Sequence, residues 1–380
     1  MRKKRYCIFS AQYFPHLGGV ERYTFNIVQK LVEKGNEVTI VTSNTDYLDN
    51  YEKIDKIEIF RMPCYNMLKG RYPVLKMNSL FKRIHQELKK RKFDFIIINT
   101  RFYLHSLYGQ WFGWKNEIKE ITIDHGTSHL SVHNKMLDYI GGGVEHSITR
   151  IGKFFCKDYY GVSLASTKWL EHFNIKAKGV LYNAVDVNHI QSILESPKRN
   201  FRKEFMFDEK DTVICFTGRL LKEKGIVQII ETVKKYNEIN ASIKLIIAGD
   251  GDLEQYVVDN EDSNIKYTGR LEFNEVIDLL RISDIFCLPS DSEGFSTAIL
   301  EAVVCHCYII TTQQGGAKEL LITDEYGSIM KNNLSETIYS TLCDVIPDKK
   351  KRERGIQLSL SYLLGHFTWD IVVDELLKIQ

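Results

Sequence analysis

Residues 216–225 read Phe216-Thr217-Gly218-Arg219-Leu220-Leu221-Lys222-Glu223-Lys224-Gly225, between a short β-rich apolar run and an amphipathic stretch. An arginine fork and a lysine point charge in a glycine-bounded loop at a helix N-terminus suit a diphosphate, and neither is well placed to cap a helix there. Solvated loop cations are the plainer alternative. Further on, Leu288-Pro289-Ser290-Asp291-Ser292-Glu293-Gly294-Phe295-Ser296-Thr297-Ala298-Ile299-Leu300-Glu301-Ala302 carries two glutamates separated by seven residues. Gly294 lets the backbone close on a ligand, Thr297 can begin a helix, and Glu301 falls one turn in, among apolar neighbours. A carboxylate in that setting wants a partner. Ribose hydroxyls, donating in bidentate fashion, would supply one; a neighbouring Lys or Arg would supply another. In the first half, Phe14-Pro15-His16-Leu17-Gly18-Gly19-Val20-Glu21 precedes a helical pattern. Paired glycines there let backbone N–H groups approach an anion at the positive end of a helix, or simply make a tight turn.

The elements that must position these loops are βα units. Short apolar, β-rich runs alternate with longer amphipathic stretches throughout, the pattern of parallel sheets covered by helices. Strands are expected at 5–10, 37–42, 57–62, 93–99, 120–124, 159–163 and 179–182, with helices at 20–33 and 80–91 among the connections. A polar segment at 186–211, with Ser196-Pro197-Lys198-Arg199-Asn200 inside it, reads as a crossing between domains. A second series follows, with strands at 212–217, 243–248, 265–268, 284–289 and 308–312 and helices at 226–236, 274–281, 297–304 and 317–321. Residues 369–378 form a terminal amphipathic helix, with Ile371, Val372, Leu376 and Leu377 on its apolar side. The expected fold class is α/β, with two doubly wound parallel sheets whose ligands lie at the C-terminal edges of the strands.

At 380 residues the chain suits two cores. Its 44% hydrophobic and 26% charged composition is that of a globular protein, no apolar run approaches a membrane span, and the short apolar part of residues 1–10 is a first strand rather than a signal core. The eight cysteines are scattered, without a C-x-x-C pair, and read as small buried hydrophobes of a reducing cytoplasm; Cys305-His306-Cys307 alternates faces of a strand. Up to Val185 the chain has 29 Lys+Arg against 17 Asp+Glu, a net +12; the remainder has 22 against 32, a net −10. Such asymmetry suits an N-terminal half that meets an anionic surface or a phosphate-bearing acceptor, although ordinary solvated surface would give it too.

Taken together these spacings resemble the family 4 retaining glycosyltransferases of GT-B fold, of bacterial cell-surface polysaccharide type. The resemblance runs from Gly18-Gly19-Val20-Glu21 through Asp124-His125-Gly126-Thr127, Ser163, Asn183-Ala184-Val185-Asp186, Gly218-Arg219, Lys224-Gly225 and Ala248-Gly249-Asp250-Gly251 to the Glu293/Glu301 pair and Phe367-Thr368-Trp369-Asp370. It implies residues 1–185 as an acceptor-side domain, 186–365 as a nucleotide-sugar domain facing it across a cleft, and 366–380 as a helix crossing back to the first. Arg219 and Lys224 would bind the donor diphosphate and stabilise the charge of the departing nucleotide. Glu301 would take the ribose hydroxyls, and Glu293 with the amides of Gly294, Phe295 and Ser296 the sugar hydroxyls, next to Thr297. Gly18 and Gly19 would bring an amide to the phosphates, and the base would rest near Arg270 and Leu271. Family members often have Pro or Gly where this chain has Ser296. His125 would orient the donor sugar, with a buried core histidine as the plainer alternative. Retention would come from same-face attack, a donor phosphate oxygen taking the acceptor's proton; Glu293 as covalent nucleophile is the other mechanism.

Asp250-Gly251-Asp252 invites a metal reading, but after a strand and before a helix it reads as a turn with an N-capping aspartate, so no metal or other cofactor is expected. His129, His133 and His146 are near in sequence without convincing ligand spacing. The basic stretch 80–92, with Phe81, Ile84 and Leu88 opposite its cations, and residues 136–156, with Gly141-Gly142-Gly143 as a mobile lip, are candidates for peripheral contact with an anionic membrane from the cytoplasmic side. The donor is expected to be a UDP-sugar, with GDP-mannose second, and the acceptor a saccharide or lipid-linked saccharide; no nucleic acid partner is expected. A nucleotide-sugar epimerase of the same fold and a non-catalytic subunit are the alternatives.

Overall fold

Parallel strands joined by helical crossovers are covered on both faces, so they must be apolar along their whole length. The computed structural model, which describes residues 3–16, 18–70, 72–129, 135–239 and 243–380, has this pattern in two separate units. One comprises Met1–Asn183 with Trp369–Gln380, the other Ala184–Thr368.

The first unit contains β1 (Arg5–Ser10), β2 (Glu37–Ser43), β3 (Tyr51–Ile54), β4 (Ile57–Met62), β5 (Cys64–Met67), β6 (Tyr72–Leu75), β7 (Phe95–Asn99), β8 (Glu120–Asp124), β9 (Tyr159–Gly161) and β10 (Gly179–Val180). Its helices are α1 (Gly19–Glu33), α2 (Ser79–Lys90), α3 (Leu104–Lys115), α4 (Lys135–Phe155) and α5 (Leu164–Glu171). Eight strands form one sheet in the order β10-β9-β8-β7-β1-β2-β4-β3, parallel except where β3 runs against β4; β5 and β6 make a separate hairpin. Ile8 lies level with Ile40 on one side and Ile97 on the other. Phe9, Phe60, Phe81, Leu88, Ile98 and Phe112 belong to a core cluster on one side of this sheet.

The second unit has six parallel strands, β11 (Thr212–Thr217), β12 (Ile243–Ala248), β13 (Ile265–Tyr267), β14 (Ile285–Leu288), β15 (Tyr308–Thr312) and β16 (Ser328–Met330), in the order β13-β12-β11-β14-β15-β16. Around them lie α6 (Val187–Glu195), α7 (Phe201–Glu204), α8 (Ile226–Ile239), α9 (Glu254–Asp259), α10 (Phe273–Arg281), α11 (Thr297–Val304), α12 (Ala317–Leu320), α13 (Ser335–Val345) and α14 (Lys349–His366). The last helix, α15 (Trp369–Lys378), returns to the first unit and packs on α1. Trp369 meets Tyr23 edge to face, with ring centroids 5.2 Å apart, and Lys34 pairs with Asp374 at 2.7 Å.

Several expectations need correction. Residues 186–211 are not a linker: α6 and α7 bury Ile190 and Phe201 completely, and Asp278 accepts from the Lys198 and Arg199 amides. The units divide after Asn183 and Thr368, not after 185 and 365, because Val185 pairs with Thr368 inside the second unit. Gly141–Gly143 lie within continuous helix α4 rather than in a lip. The Phe81, Ile84 and Leu88 stripe of α2 belongs to the core, so it offers no greasy face to a membrane. The N-cap of α9 is Leu253, with no side-chain cap bond, so Asp252 is no capping residue. No helix among the described residues is long and apolar enough to cross a membrane.

Since Trp369 is 2% exposed, Trp369→Ala should destabilise the first unit by about 3–5 kcal/mol. Urea unfolding followed by fluorescence of the remaining tryptophans of that unit would read this, and an unchanged transition would contradict the packing role given to α15.

Candidate functional site

In the second unit, the loop after β11 and the loop after β14 are brought together because their strands are neighbours. Glycine permits the approach. Gly225 has φ +75°, and a Cβ there would collide with the carbonyl oxygen of Pro289; a non-glycine residue would suffer both the clash and the left-handed strain. The Asp291 amide donates to the Glu223 carbonyl at 2.7 Å, and the buried Ser290 hydroxyl to the same carbonyl at 3.3 Å. This docking places Lys224 Nζ 2.5 Å from Glu293 Oε1 and 3.2 Å from the Ser292 carbonyl. Both side chains of the ion pair are largely shielded, and the bond is charge-assisted. Arg219 stands exposed nearby in sequence, and among the described residues its guanidinium makes no hydrogen bond or ion pair. Glu301 is buried, 7% exposed, inside α11, which Thr297 begins; Ser296 is its N-cap by backbone geometry without a side-chain cap bond.

A third loop went unread in the sequence. Gly315 and Gly316 follow β15 and precede α12, and the Gly316 amide donates to the Gly294 carbonyl at 2.9 Å. Gly315 has φ +59°, and a Cβ on it would strike the Glu293 and Gly294 carbonyls, while one on Gly316 would strike the Phe295 ring. The signal was available: a glycine pair between a strand and a helix, as at Gly18-Gly19. Arg270 and Leu271 lie after β13. Arg270 reaches Asp250 at 3.5 Å, both exposed, and Tyr267 donates to the Gly249 carbonyl at 2.9 Å. The Leu220 amide in turn donates to the Asp250 carbonyl at 2.7 Å, so this region is tied to the Arg219 loop through its backbone.

In the first unit, Gly18 is the N-cap of α1 in extended conformation, and a side chain on it would collide with the Glu21 carboxylate. A Cβ on Gly19 would meet nothing within 4 Å, so the side-chain position there is open. Burial pushes the Glu21 carboxyl up to about 7. Near neutrality the start of α1 therefore carries less negative charge than its sequence suggests.

His125 follows β8. Its Nε2 lies 3.1 Å from Asn99 Oδ1, and Asn99 Nδ2 donates to Thr24 Oγ1 at 2.8 Å. With the amide so oriented, Nε2 carries the proton and donates, leaving Nδ1 as an acceptor. Burial lowers the His125 pKa to about 3, so the ring is neutral across the physiological range. Tyr23 meets the ring edge to face at 4.8 Å and donates to the Leu181 carbonyl at 3.0 Å. Directly before His125, Asp124 is completely buried and takes both oxygens' bonds from Arg101 Nη1 at 2.9 Å, while Arg101 Nη2 pairs with Glu145. Burial outweighs Arg101 and raises Asp124 to about 6. Arg101, Asn99, Tyr23 and Thr24 were not anticipated as supports of His125.

The chain is similar to known glycosyltransferases along its length. The model of "Glycosyltransferase Family 4" matches residues 17–189 and that of "Glycosyl transferases group 1" residues 197–358. An uncharacterized glycosyltransferase of Methanocaldococcus jannaschii is 27% identical over 395 aligned positions, covering 100% of this chain and 98% of the relative. A GDP-mannose-dependent monoacylated alpha-(1-6)-phosphatidylinositol monomannoside mannosyltransferase of Corynebacterium glutamicum is 23% identical, covering 96% and 94%. Among solved structures, Anabaena HepE in complex with UDP is similar in fold, with a TM-score of 0.72 at 16% identity over 99% of each chain.

The raised Glu21 carboxyl makes a prediction about pH. A folded-state pKa of about 7 against an ordinary 4.5 means the folded chain holds the extra proton between these values. Its contribution is fully present below about 4.5 and lost as pH rises through about 7. Glu21→Gln removes the ionisation, so the wild type should lose stability relative to the variant across that window. Urea denaturation of both at a series of pH values tests this, and parallel curves would refute it.

Proposed function

Because the chain belongs to the group 1, family 4 glycosyltransferases and has their GT-B fold, we propose that it transfers a sugar, with retention, from a nucleotide-diphosphate sugar to a saccharide or lipid-linked saccharide in cell-surface polysaccharide synthesis. The observation that carries the reading is the shielded ion pair of Lys224 with Glu293, which joins the loop after β11 to the loop after β14, with the exposed Arg219 in the first of these loops and Glu301 buried in the helix that follows the second. Arg219 and Lys224 take the diphosphate and stabilise charge on the leaving nucleotide. Glu293 passes from Lys224 to the sugar hydroxyls, helped by the amides of Gly294, Phe295 and Ser296 at the start of α11, and Glu301 holds the ribose. Arg270 and Leu271 flank the base, and Gly19 offers its amide to the phosphates. His125, neutral and with Nδ1 as acceptor, receives a sugar hydroxyl and orients the ring. The acceptor's proton goes to a donor phosphate oxygen, so neither a protein nucleophile nor a divalent ion takes part. A UDP-sugar is the first donor to test and GDP-mannose, used by the C. glutamicum relative, the second.

That relative acts on a phosphatidylinositol-based acceptor, which supports a lipid-linked acceptor at the cytoplasmic face of a membrane. The contact surface moves from α2 to α4. Met136, Ile140, Val144, Ile151 and Phe154 are exposed and fall on one face of α4 at helical spacing, with Tyr139 beside them. Co-sedimentation with anionic liposomes at low salt should be abolished by Tyr139→Asp combined with Phe154→Asp; wild-type protein that stays in the supernatant would sink the membrane reading.

Thermal-shift screening against UDP, GDP, ADP and their sugars would identify the donor, since a ligand at 100 times its dissociation constant adds about 2.7 kcal/mol. With that donor, and without added magnesium or manganese, Arg219→Ala and Lys224→Ala should each lower turnover by about a hundredfold or more. Near-normal rates in both, or transfer that starts only when Mg2+ or Mn2+ is supplied, would overturn the mechanism.

A further inference from the structure

His129, His146 and His172 come from three places in the first unit: the loop after β8, the middle of α4 and the C-cap of α5. The structure brings one potential ligand atom of each to within 4.8 Å of the others. The grouping of His129 with His146 that looked unconvincing by spacing is thus completed by His172, a residue the sequence did not suggest; His133 lies outside the described residues. His146 Nε2 and His172 Nε2 are 3.1 Å apart. Two imidazoles at that distance can share only one proton, and both nitrogens would be satisfied by a single cation. Neighbouring ligands on a tetrahedral ion with metal–nitrogen bonds of about 2.0–2.1 Å stand roughly 3.3–3.4 Å apart.

The third ligand is held from behind. His129 Nδ1 lies 2.7 Å from Glu145 Oε2, and the other oxygen of this buried carboxylate is engaged by the fully buried Arg101. A carboxylate on Nδ1 fixes the tautomer that leaves Nε2 as a lone-pair donor and makes that nitrogen more basic, the usual outer arrangement of a metal-bound histidine. Aromatic rings limit the freedom of all three: Trp169 stacks on His172 at 4.8 Å and 7°, meets His129 edge to face at 5.0 Å, and Phe173 lies 4.7 Å from His146.

We propose that these three histidines bind one divalent ion of the zinc class, with solvent in the fourth position. Three neutral imidazoles favour Zn2+, Co2+ or Cu2+ over Mg2+ and Ca2+, which demand oxygen ligands. The ion is distinct from the transfer chemistry, which uses neither His146 nor His172. Its effect is mechanical. His129 ends four residues after His125 in the same loop, so a metal pinning His129 to α4 and α5 anchors the far end of the segment that carries His125.

The test uses tag-free full-length protein, stripped with chelator, dialysed and titrated with Co2+ and then Zn2+. One Co2+ per chain should bind and give the strong visible d–d absorption of low coordination number. Zn2+ should bleach it and raise the melting temperature, whereas Mg2+ at equal concentration should do neither. His146→Ala and His172→Ala, both at exposed positions that should leave the fold intact, should each lose the absorption and the shift; Glu145→Gln should weaken binding about 10- to 100-fold. Absence of the absorption in the wild type, its persistence in both histidine variants, or a thiolate-to-cobalt band reporting the exposed Cys343 would overturn the proposal.

Discussion

Each unit depends on one constraint: the strand that opens its βα series is flanked by parallel partners on both sides. β1 lies between β2 and β7, and β11 between β12 and β14. The winding reverses at these strands, so the helical connections on either side of each one depart to opposite faces of the sheet and a crevice opens at the end of that strand. Gly18-Gly19 and the 218–225 loop occupy those two places. In the second unit the crevice is then narrowed by backbone-to-backbone approach, through Gly225 against Pro289 and Gly315 against Glu293 and Gly294. The ion pair of Lys224 with Glu293 follows from that narrowing, since neither residue is adjacent to the other in the chain.

His125 illustrates how an ordinary histidine becomes a fixed acceptor. Its proton is committed to Asn99, its charge is suppressed by burial, and its ring rests on Tyr23, which in turn is backed by Trp369. The acidic residue before it, Asp124, is absorbed into the Arg101 network and does not polarise the ring. A neutral ring with a defined lone pair suits hydroxyl recognition better than general acid work near neutral pH.

Much of this was legible in the chain. β1, β4, β8, β11, β12 and β15 fall at the residues expected from apolar runs bounded by polar turns, because a strand buried on both faces leaves an unbroken hydrophobic signal. What stayed hidden lacked that signal. β3 is an exposed edge strand, β5 and β6 are short, and α3 is apolar around most of its circumference, so no period stands out. The 186–211 segment looked like a linker because its few buried apolar side chains, Ile190, Phe201 and Phe207, are spaced among charges that cap and bridge rather than solvate. At the site, charged and glycine residues announced themselves by type. Their supports, Asn99 and Tyr23, act through geometry that only the fold assembles.

The return of α15 to the first unit has a consequence for biosynthesis. The whole second unit, residues 184–368, is encoded between the body of the first and its last helix. During translation Tyr23 and the apolar side of α1 await Trp369, Val372 and Leu376, which follow the whole 184–368 segment out of the ribosome. The half bearing His125 therefore stays uncovered along α1 until residues 369–378 arrive. A chain truncated after Thr368 would keep every element of the second unit but leave the first with an open hydrophobic seam, the kind of surface that chaperones engage.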